Sequence, residues 1–167
     1  VKIAGIPMII RVAKIVSDAL GQENTYVATE DNRIKKVVES HGYNVVMTSD
    51  NCLTGTDRVW EVAKKIKADI YLNIQGDEPL LNPIDILKIA DEKEKFPNHV
   101  INGMIEIHSD EDPTNINLPK VLTNNQNELI YMSRLPIPGI KDASKGSPIY
   151  KKQVCIYAFN YQELKSF

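Results

Sequence analysis

DIYLNIQGDEPLLNPIDILKIADEKEKF, residues 69–96, is the stretch that decides the fold. Its first six residues, 69–74, are mostly apolar and predict a short buried strand. Residues 83–96 have the helical spacing of apolar side chains, and Pro83 suits the first turn of a helix. The polar loop between them, which includes QGDEP at 75–79, joins the strand to the helix. A strand followed by a helix is the repeating unit of α/β proteins.

The same alternation extends from this stretch towards the N-terminus. Apolar spacing predicts three more helices and two more strands. The predicted helices cover residues 7–20, 31–41 and 56–66, and the predicted strands cover residues 25–29 and 43–48. This order needs crossover connections, so we expect an α/β fold with a mostly parallel sheet and helices on both faces. Ligands of such sheets bind at the carboxyl ends of the strands.

Towards the C-terminus the pattern becomes rich in strands. Residues 100–132 are expected to form a β-rich excursion within a single domain that covers residues 1–167. The predicted strands cover residues 100–107, 120–123, 129–132 and 153–159. NNQN at 124–127 predicts a hairpin turn between the second and third of these strands. Residues 134–150, with three prolines and two glycines, predict a loop.

The composition argues against several classes of protein. The 167 residues include 20 Lys and Arg against 22 Asp and Glu, a balance that disfavours a protein dedicated to nucleic acid. No apolar run reaches the roughly 18 residues of a membrane-spanning helix, so we expect no membrane insertion. The two cysteines, Cys52 and Cys155, lie far apart, which disfavours a disulfide framework and favours a reducing compartment. We therefore expect a cytoplasmic protein.

The first candidate for a functional site is the QGDEP loop. Gly76 allows a tight turn or the close approach of a ligand, and Asp77 presents a carboxylate at the carboxyl end of the predicted strand. Mg²⁺ in proteins commonly takes one or two carboxylates together with substrate phosphates. The alternative is a structural role, in which Asp77 or Asn82 caps the following helix.

The second candidate is LTGTDR, residues 53–58, which precedes a predicted helix. Thr54 or Thr56 could cap that helix, with Asp57 in its first turn. In the functional interpretation, backbone N–H groups and a hydroxyl face the crevice, and Arg58 lies beside a planar or anionic ligand. Capping accounts for most of the pattern.

Two further candidates lie nearer the C-terminus. Arg134 follows a predicted strand, where its guanidinium could clamp a carboxylate through two hydrogen bonds. The alternative for Arg134 is an exposed surface side chain. KKQVCIYAF, residues 151–159, predicts a strand with a basic start, and Cys155 within it is expected to be a small core residue rather than a nucleophile.

Taken together, four segments in this order resemble the sugar-acid cytidylyltransferases, a family that includes the 3-deoxy-manno-octulosonate and acylneuraminate enzymes. The segments are LTGTDR, YLNIQGDEPLL, PKVLTNNQNELIYMSR and KKQVCIYAF, and the resemblance covers nearly the whole chain. It implies a nucleotide-diphospho-sugar transferase-like fold and a homodimer. It also implies a reaction in which CTP, with Mg²⁺ as cofactor, activates a 3-deoxy sugar acid. The products would be pyrophosphate and a CMP-sugar for surface polysaccharide synthesis.

The resemblance also implies roles for individual residues. Asp77 matches the metal-binding aspartate of the family, and Gln75 matches a residue near the sugar and the nucleotide, so these two are the candidate catalytic residues. Thr56 and Arg58 lie in the segment that resembles the cytosine and ribose contacts, and Gln75 is a further candidate on the nucleotide side. The residues expected at the sugar acid are Arg134, Gln153 and Tyr157.

The sequence departs from the family pattern at both ends and in the sugar pocket. The family's N-terminal strand with its basic phosphate loop, and its C-terminal segment with a second metal-binding aspartate, have no counterpart in these residues. We therefore expect residues 1–167 to be the middle of a longer protein, to bind CTP weakly and not to turn over alone. The 3-deoxy-manno-octulosonate enzymes have histidine where this chain has Gln153. The substrate could therefore be 3-deoxy-manno-octulosonate or a related sugar acid.

Two other functions compete with this interpretation. One is a nucleotidyltransferase for another sugar phosphate, and the other is a non-catalytic nucleotide-binding relative. An Arg- and Lys-rich loop encoded before Val1 would favour the enzyme over the binding protein. An NAD-binding domain is disfavoured, because no G-x-G-x-x-G follows a strand.

Overall fold

The computed structural model describes residues 1–142, 144, 146 and 148–167; the other three residues of the predicted loop 134–150 lie outside the described residues. The described chain divides into two compact units, which we call the first unit and the second unit. The first unit contains Val1–Ile101 and Cys155–Phe167, and the second unit contains Asn102–Val154. The single domain over residues 1–167, with its excursion at 100–132, stays a prediction.

Five helices occur among the described residues, together with one 3₁₀ turn at Gln22–Asn24. The helices are α1 (Met8–Leu20), α2 (Asn32–Ser40), α3 (Gly55–Lys65), α4 (Pro83–Lys95) and α5 (Tyr161–Ser166). The first four confirm the predicted helices to within one residue at each end, whereas α5 is an element that the sequence did not predict. None of the helices in the described part of the chain is both long and apolar enough to cross a membrane.

Polar side chains fix the starts of α2, α3 and α4. The side chains of Asp31 and Asn82 each accept a backbone N–H group at the start of α2 and α4. Thr54 and Asp57 form a reciprocal capping box at the start of α3. Such caps satisfy N–H groups that have no partner within the helix, so the loops before α3 and α4 enter their helices in a defined direction.

The first unit contains strands that belong to three sheets. They are β1 (Lys2–Ile3), β2 (Ile6–Pro7), β3 (Tyr26–Thr29), β4 (Asn44–Met47), β5 (Tyr71–Ile74) and the end of β9 (Lys151–Phe159). β1 pairs antiparallel with β2, β3 pairs parallel with β4, and β5 pairs antiparallel with β9. The predicted alternation of helices and strands is confirmed. Parallel pairing is less common among the described strands than the sequence predicts, because β9 returns beside β5 in the opposite direction.

Two apolar clusters form the core of the first unit. The cluster that joins α1, α2 and β3 consists of Ile10, Ala13, Val27 and Val38. The cluster that joins α3, β5, β9 and α5 consists of Ala63, Tyr71, Phe159 and Leu164. Full burial of a valine, leucine or isoleucine side chain stabilises a fold by about 1.5–3 kcal/mol. Each cluster therefore holds its strand against its own set of helices.

A buried ion pair joins α4 to α5. The side chain of Lys93 is 1% exposed, and its Nζ lies 2.8 and 2.6 Å from the two carboxylate oxygens of Glu163. The same Nζ donates to the backbone carbonyl of His99 at 2.7 Å. Glu163 also accepts the backbone N–H of Asn160, which starts α5. The ion pair thus fixes a helix of only six residues against the rest of the first unit.

The second unit contains most of β6 (Ile101–Glu106), all of β7 (Lys120–Thr123) and β8 (Leu129–Ser133), and the start of β9. β7 pairs antiparallel with both β8 and β9. The turn between β7 and β8 confirms the predicted hairpin. Within it the Asn124 side chain accepts the N–H groups of Gln126 and Glu128. Asn127 has a φ of 61°, a left-handed conformation that asparagine tolerates better than most residues.

Candidate functional site

A cavity of about 880 Å³ lies within the first unit and runs beside β5. Residues 70–77 line it from the start of the strand to the loop that follows. The QGDEP loop contributes Gln75 and Asp77 to the wall, and α3 contributes Arg58. The structure therefore brings three of the residues predicted from the sequence to one cavity, at the carboxyl end of β5.

The QGDEP loop passes close to α1. A Cβ atom added to Gly76 would lie 3.0 Å from Cδ1 of Ile9, so a side chain at this position would force the loop or Ile9 to move. Asp77 follows this close approach and is exposed. The cap of α4 is Asn82, so the alternative in which Asp77 caps that helix is wrong.

The donor groups around Asp77 suit a cation that is bound mainly through a substrate. Among the described residues, His, Cys, Asp and Glu side chains form no group of three or more that could hold a metal ion. One exposed carboxylate fits Mg²⁺, which commonly takes its remaining ligands from phosphates and water. Asp77 therefore fits a cation that arrives with a nucleotide better than it fits a metal centre built from protein ligands.

The start of α3 gives Thr54 and Thr56 different environments. The hydroxyl of Thr54 accepts the N–H of Asp57, and the Asp57 carboxylate accepts the N–H of Thr54, so both side chains belong to the helix cap. The hydroxyl of Thr56 instead accepts a long hydrogen bond, 3.4 Å, from Nδ2 of Asn73. Thr56 therefore contacts the strand that lines the cavity, while Thr54 has the capping role that the sequence left open.

Asn73 is a residue of the cavity that the sequence did not single out. It lies in β5, is 6% exposed and lines the cavity. Burial of an amide costs free energy unless the amide finds hydrogen-bond partners, and Thr56 is one such partner. The sequence signal that could have identified Asn73 is its position as the single polar amide inside the apolar strand YLNI.

Arg58 connects α3 to the loops that follow β3 and β4. Its Nη1 lies 2.5 Å from Oε2 of Glu30 and donates to the hydroxyl of Thr48 at 2.6 Å. The side chain is 21% exposed, so these contacts hold a largely buried guanidinium in one orientation. Glu30 was missed, because one acidic residue after a strand has no distinctive sequence signal. The nucleotide contact expected of Arg58 stays a prediction.

Two more side chains of α3 hold the end of β4 and the segment that follows it. The backbone N–H of Ser49 donates to the carboxylate of Glu61 at 2.8 Å. The Nζ of Lys65 donates to the backbone carbonyl of Met47 at 2.5 Å. Together with Arg58 these residues form one stripe along the helix, since residues three or four positions apart share a helix face. The stripe fixes the end of β4 relative to α3.

Tyr157 lies on β9, opposite Asn73 in the pairing with β5. Its ring stacks on Phe159, with 6.1 Å between the ring centroids. Burial raises the pKa of the Tyr157 phenol above its ordinary value, with a smaller contribution from Cys155. The phenol therefore stays protonated at neutral pH and keeps an O–H donor. Its predicted contact with a sugar acid is not tested by this geometry.

Arg134 and Gln153 lie in the second unit. Arg134 is exposed directly after β8, and its Nη1 donates to the backbone carbonyl of Ile116 at 3.1 Å. This bond uses one of the five N–H donors of the guanidinium. The backbone N–H of Gln153 donates to the carbonyl of Pro119 at 2.9 Å. The sugar-acid contacts of both residues stay predictions.

Lys120 is a buried residue of the second unit that has no distinctive signal in the sequence. Its side chain is fully buried, and its Nζ donates to the backbone carbonyl of Asn115 at 2.8 Å. Burial lowers the pKa of the Lys120 ammonium, and the positive charge of Arg134 lowers it further. Because Arg134 holds the next carbonyl, that of Ile116, the two cations together fix the segment before β7.

A comparison with known families gives the class of this α/β protein, which is a nucleotidyltransferase. The family described as Cytidylyltransferase matches residues 1–167. The chain therefore belongs to the cytidylyltransferase family.

Individual relatives narrow the comparison. The chain is 33% identical to 3-deoxy-manno-octulosonate cytidylyltransferase from Escherichia coli, over 99% of this chain and 66% of that protein. It is 36% identical to 8-amino-3,8-dideoxy-manno-octulosonate cytidylyltransferase from Shewanella pealeana, over 99% of this chain and 69% of that protein. The chain thus spans about two thirds of the length of these curated relatives.

A solved structure extends the likeness to three dimensions. The structure of CMP:2-keto-3-deoxy-manno-octonic acid synthetase in complex with CTP matches 99% of this chain and 68% of that chain. The TM-score is 0.90 and the sequence identity is 34%. The match confirms the predicted α/β class and the nucleotide-diphospho-sugar transferase-like fold.

Proposed function

We propose that residues 1–167 belong to a cytidylyltransferase that uses CTP to activate 3-deoxy-manno-octulosonate or a related sugar acid. The products are a CMP-sugar, for surface polysaccharide synthesis, and pyrophosphate. The observation that carries the proposal is the match of 99% of the chain, at a TM-score of 0.90, to a synthetase solved with CTP. The QGDEP loop lining the cavity beside β5 supports it.

The reaction forms one phosphorus–oxygen bond and breaks another. The anomeric hydroxyl oxygen of the sugar acid attacks the α-phosphorus of CTP and loses its proton to solvent, and the bond from that phosphorus to the pyrophosphate oxygen breaks. Catalysis of this kind consists mainly of positioning and charge stabilisation. Asp77 would hold Mg²⁺, which when bound neutralises charge on the phosphates. Gln75, two residues before Asp77, would orient the reacting groups.

The nucleotide would lie against the wall of the cavity that α3 and β5 provide. The Thr56 hydroxyl lies against Asn73, which lines that wall, and the N–H groups at the start of α3 favour negative charge. Arg58 would approach the nucleotide with its guanidinium held in place by Glu30 and Thr48. Asn73 adds a buried amide beside Thr56.

The sugar acid would be recognised through its carboxylate and its hydroxyl groups. A guanidinium fork matches two carboxylate oxygens, which suits Arg134 to the carboxylate. Tyr157 would donate its phenol O–H, and Gln153 offers both a donor and an acceptor to sugar hydroxyls. Two relatives are named for 3-deoxy-manno-octulosonate and for its 8-amino-3,8-dideoxy analogue, so these two acids are the candidate substrates.

The test is pyrophosphate release by the full-length protein with CTP and a panel of sugar acids. The panel contains the two candidate acids, N-acetylneuraminate and a neutral sugar 1-phosphate, each with CTP, ATP, GTP and UTP. We expect release with CTP and one of the 3-deoxy acids. Binding of CTP without release would favour the non-catalytic relative, and release with the sugar phosphate would favour the other nucleotidyltransferase. Residues 1–167 alone are expected to release little pyrophosphate in the same assay.

Changes at the two candidate sugar contacts should have different effects on specificity. Arg134→Lys should weaken every sugar acid alike, because an ammonium lacks the two-pronged geometry of the guanidinium. Gln153→His should change the preference among sugar acids, since one hydrogen bond to a buried group is worth about 1–3 kcal/mol, roughly 5- to 150-fold. The measurement is the ratio of kcat/KM values across the panel. Unchanged ratios with a lower CTP affinity would instead assign Gln153 to the nucleotide.

The protein is proposed to work in the cytoplasm as a homodimer that uses the β-rich segment 100–132. Three consecutive apolar side chains of β8 support the dimer, because all are exposed in the single chain. Leu129 is 56% exposed, Ile130 is 60% exposed and Tyr131 is 61% exposed. β8 is also the last strand of its sheet, and an exposed apolar edge strand invites pairing with another chain.

Light scattering of the full-length protein at micromolar concentration should therefore report a dimer. Ile130→Glu should shift it to the monomer, because the change places a carboxylate within the apolar surface of β8. Ile84→Glu is the matched control, since Ile84 is 57% exposed but lies on α4 in the first unit. A dimer that dissociates with Ile84→Glu and persists with Ile130→Glu would contradict the proposed interface.

A further inference from the structure

Lys120, in the second unit, is fully buried without a carboxylate partner. Its side chain is 0% exposed, and lysine is almost never fully buried unless it is paired. None of the ion pairs among the described residues includes Lys120, whereas Lys93, which is also buried, pairs with Glu163. Burial of a charge costs free energy unless pairing compensates it, so the fold gives up stability at Lys120.

A second cation lies close to this buried ammonium. Burial lowers the pKa of Lys120, and the positive charge of Arg134 lowers it further, while Asp112 raises it by less than these two together lower it. The closeness follows from the register of β7 and β8, which pairs Lys120 with Ser133, the residue before Arg134. Two neighbouring cations repel each other, and an anion bound beside them offsets that repulsion. The pair therefore favours a bound anion.

Lys120 and Arg134 also hold neighbouring carbonyl groups of one segment. The Nζ of Lys120 donates to the carbonyl of Asn115 at 2.8 Å. The Nη1 of Arg134 donates to the next carbonyl, that of Ile116, at 3.1 Å. Both carbonyls belong to the segment 112–118 between β6 and β7. Because Lys120 lies on the sheet, its hydrogen bond fixes the acceptor that holds the Arg134 guanidinium.

The bond to Ile116 leaves one edge of the Arg134 guanidinium available. Arg134 is exposed, and Nη1 is the only one of its nitrogens with a hydrogen bond to a described residue. Nε and Nη2 keep N–H donors that together match the two oxygens of a carboxylate. A guanidinium held through Nη1 has lost part of its freedom before the carboxylate binds, and such preorganisation increases affinity.

We propose that Lys120 is a positioning residue for the carboxylate of the sugar acid and acts through Arg134. Its hydrogen bond fixes the segment that orients the guanidinium, and its buried charge favours the anion that Arg134 binds. The inference rests on the proposed function, because it takes Arg134 as the contact of the sugar acid. Lys120 does not touch the substrate in this role, since its own side chain is fully buried.

The test compares Lys120→Met with Lys152→Met in the full-length protein. Methionine is unbranched and adaptable, so it can fill the space of the lysine stem while it removes the ammonium. The carbonyl of Asn115 keeps the N–H of Leu118 as a partner at 3.1 Å, so the change does not leave this acceptor unpaired. Lys152 is the matched control, because it pairs with Lys120 in the sheet but its charge is balanced by Glu111.

We expect Lys120→Met to raise the KM for the sugar acid at least about tenfold, the effect of losing a hydrogen bond made by a charged group. The kcat and the KM for CTP should stay within about twofold, because only binding of the acid is weakened. Lys152→Met should change all three by less than about twofold. A merely structural role of Lys120 would instead lower kcat or raise the KM of both substrates, and either result would overturn the inference.

A double variant tests whether Lys120 acts through Arg134. In a protein that already carries Arg134→Met, the further change Lys120→Met should alter the KM for the sugar acid by no more than about twofold, because no guanidinium is left to position. The same tenfold loss with and without Arg134 would overturn the inference, since Lys120 would then act independently.

A last measurement needs no activity and uses NMR of the arginine Nε–H groups. The signal of Arg134 is the one that disappears in Arg134→Lys. Its motion should be restricted in the unchanged protein and in Lys152→Met, and free in Lys120→Met. Restricted motion in Lys120→Met would overturn the inference. Absence of pyrophosphate release with every sugar acid would overturn the proposed function, whereas the motion of Arg134 would still decide whether Lys120 positions it.

Discussion

Asp77→Asn in the full-length protein should lower Mg²⁺-dependent pyrophosphate release by about 100-fold or more. An amide is a poor ligand for a hard cation, because it lacks the negative charge of a carboxylate. A bound metal ion contributes several kcal/mol to the stabilisation of charge on phosphates, and about 2.7 kcal/mol corresponds to 100-fold in rate. The fold should be unaffected, since Asp77 is exposed and Asn82 caps α4.

The control for this prediction is Asp91→Asn, which removes one negative charge from an exposed position on α4 outside the cavity lining. Its rate should stay within about twofold of the original protein, as expected for a surface change away from the site. The measurement is pyrophosphate release over a range of Mg²⁺ concentrations. Full activity of Asp77→Asn at saturating Mg²⁺ would contradict the proposal that Asp77 binds the metal ion.

Lys93→Met should destabilise the protein by about 3–5 kcal/mol, the cost typical of breaking a buried ion pair by removing one partner. The change leaves the Glu163 carboxylate, which is 15% exposed, without the ammonium that it contacts through both oxygens. It also removes the donor to the carbonyl of His99. The free energy of unfolding, measured with urea, should fall by this amount, and α5 should be the first helix to lose protection from hydrogen exchange.

Lys95→Met is the matched control, because Lys95 lies two residues further along α4. Its side chain is 63% exposed and pairs with Glu92, which is 45% exposed. Exposed pairs contribute about 0–1 kcal/mol, so the control should change the free energy of unfolding by less than about 1 kcal/mol. A loss below 1 kcal/mol for Lys93→Met would show that α5 is held by its apolar contacts and not by the ion pair.

Local signals were enough to predict α1, α2, α3 and α4, each to within one residue at its start. Thr54 and Asn82 were among the candidate caps, and each caps a helix in the structure. A cap depends on side chains and N–H groups within about three residues, so its physics is contained in a short window of sequence. The same locality explains why the hairpin turn that starts at Asn124 was predicted correctly.

Contacts between distant residues were beyond the reach of such windows. Lys93 lies in the charged run EKEK, which is typical of an exposed helix face, yet Glu163 reaches it from 70 residues further along the chain. Glu30 meets Arg58 only because the fold brings the end of β3 to α3. The antiparallel pairing of β9 with β5 likewise depends on where the chain returns. The same contrast holds within the candidate site. Asp77 lies in the QGDEP motif and was predicted from it, whereas Asn73 belongs to no motif and was not predicted.

The capping box at the start of α3 has a consequence for how the protein can diversify. Thr54 and Asp57 bond each other's backbone, and replacing such a cap by alanine costs about 0.5–2 kcal/mol. Thr56 stands between them but bonds across to Asn73 instead. A substitution at Thr56 therefore leaves both bonds of the capping box in place, so this position can change while the helix keeps its start. Thr56 is thus a position that evolution or protein engineering can vary, while Thr54 and Asp57 keep the start of α3 in place.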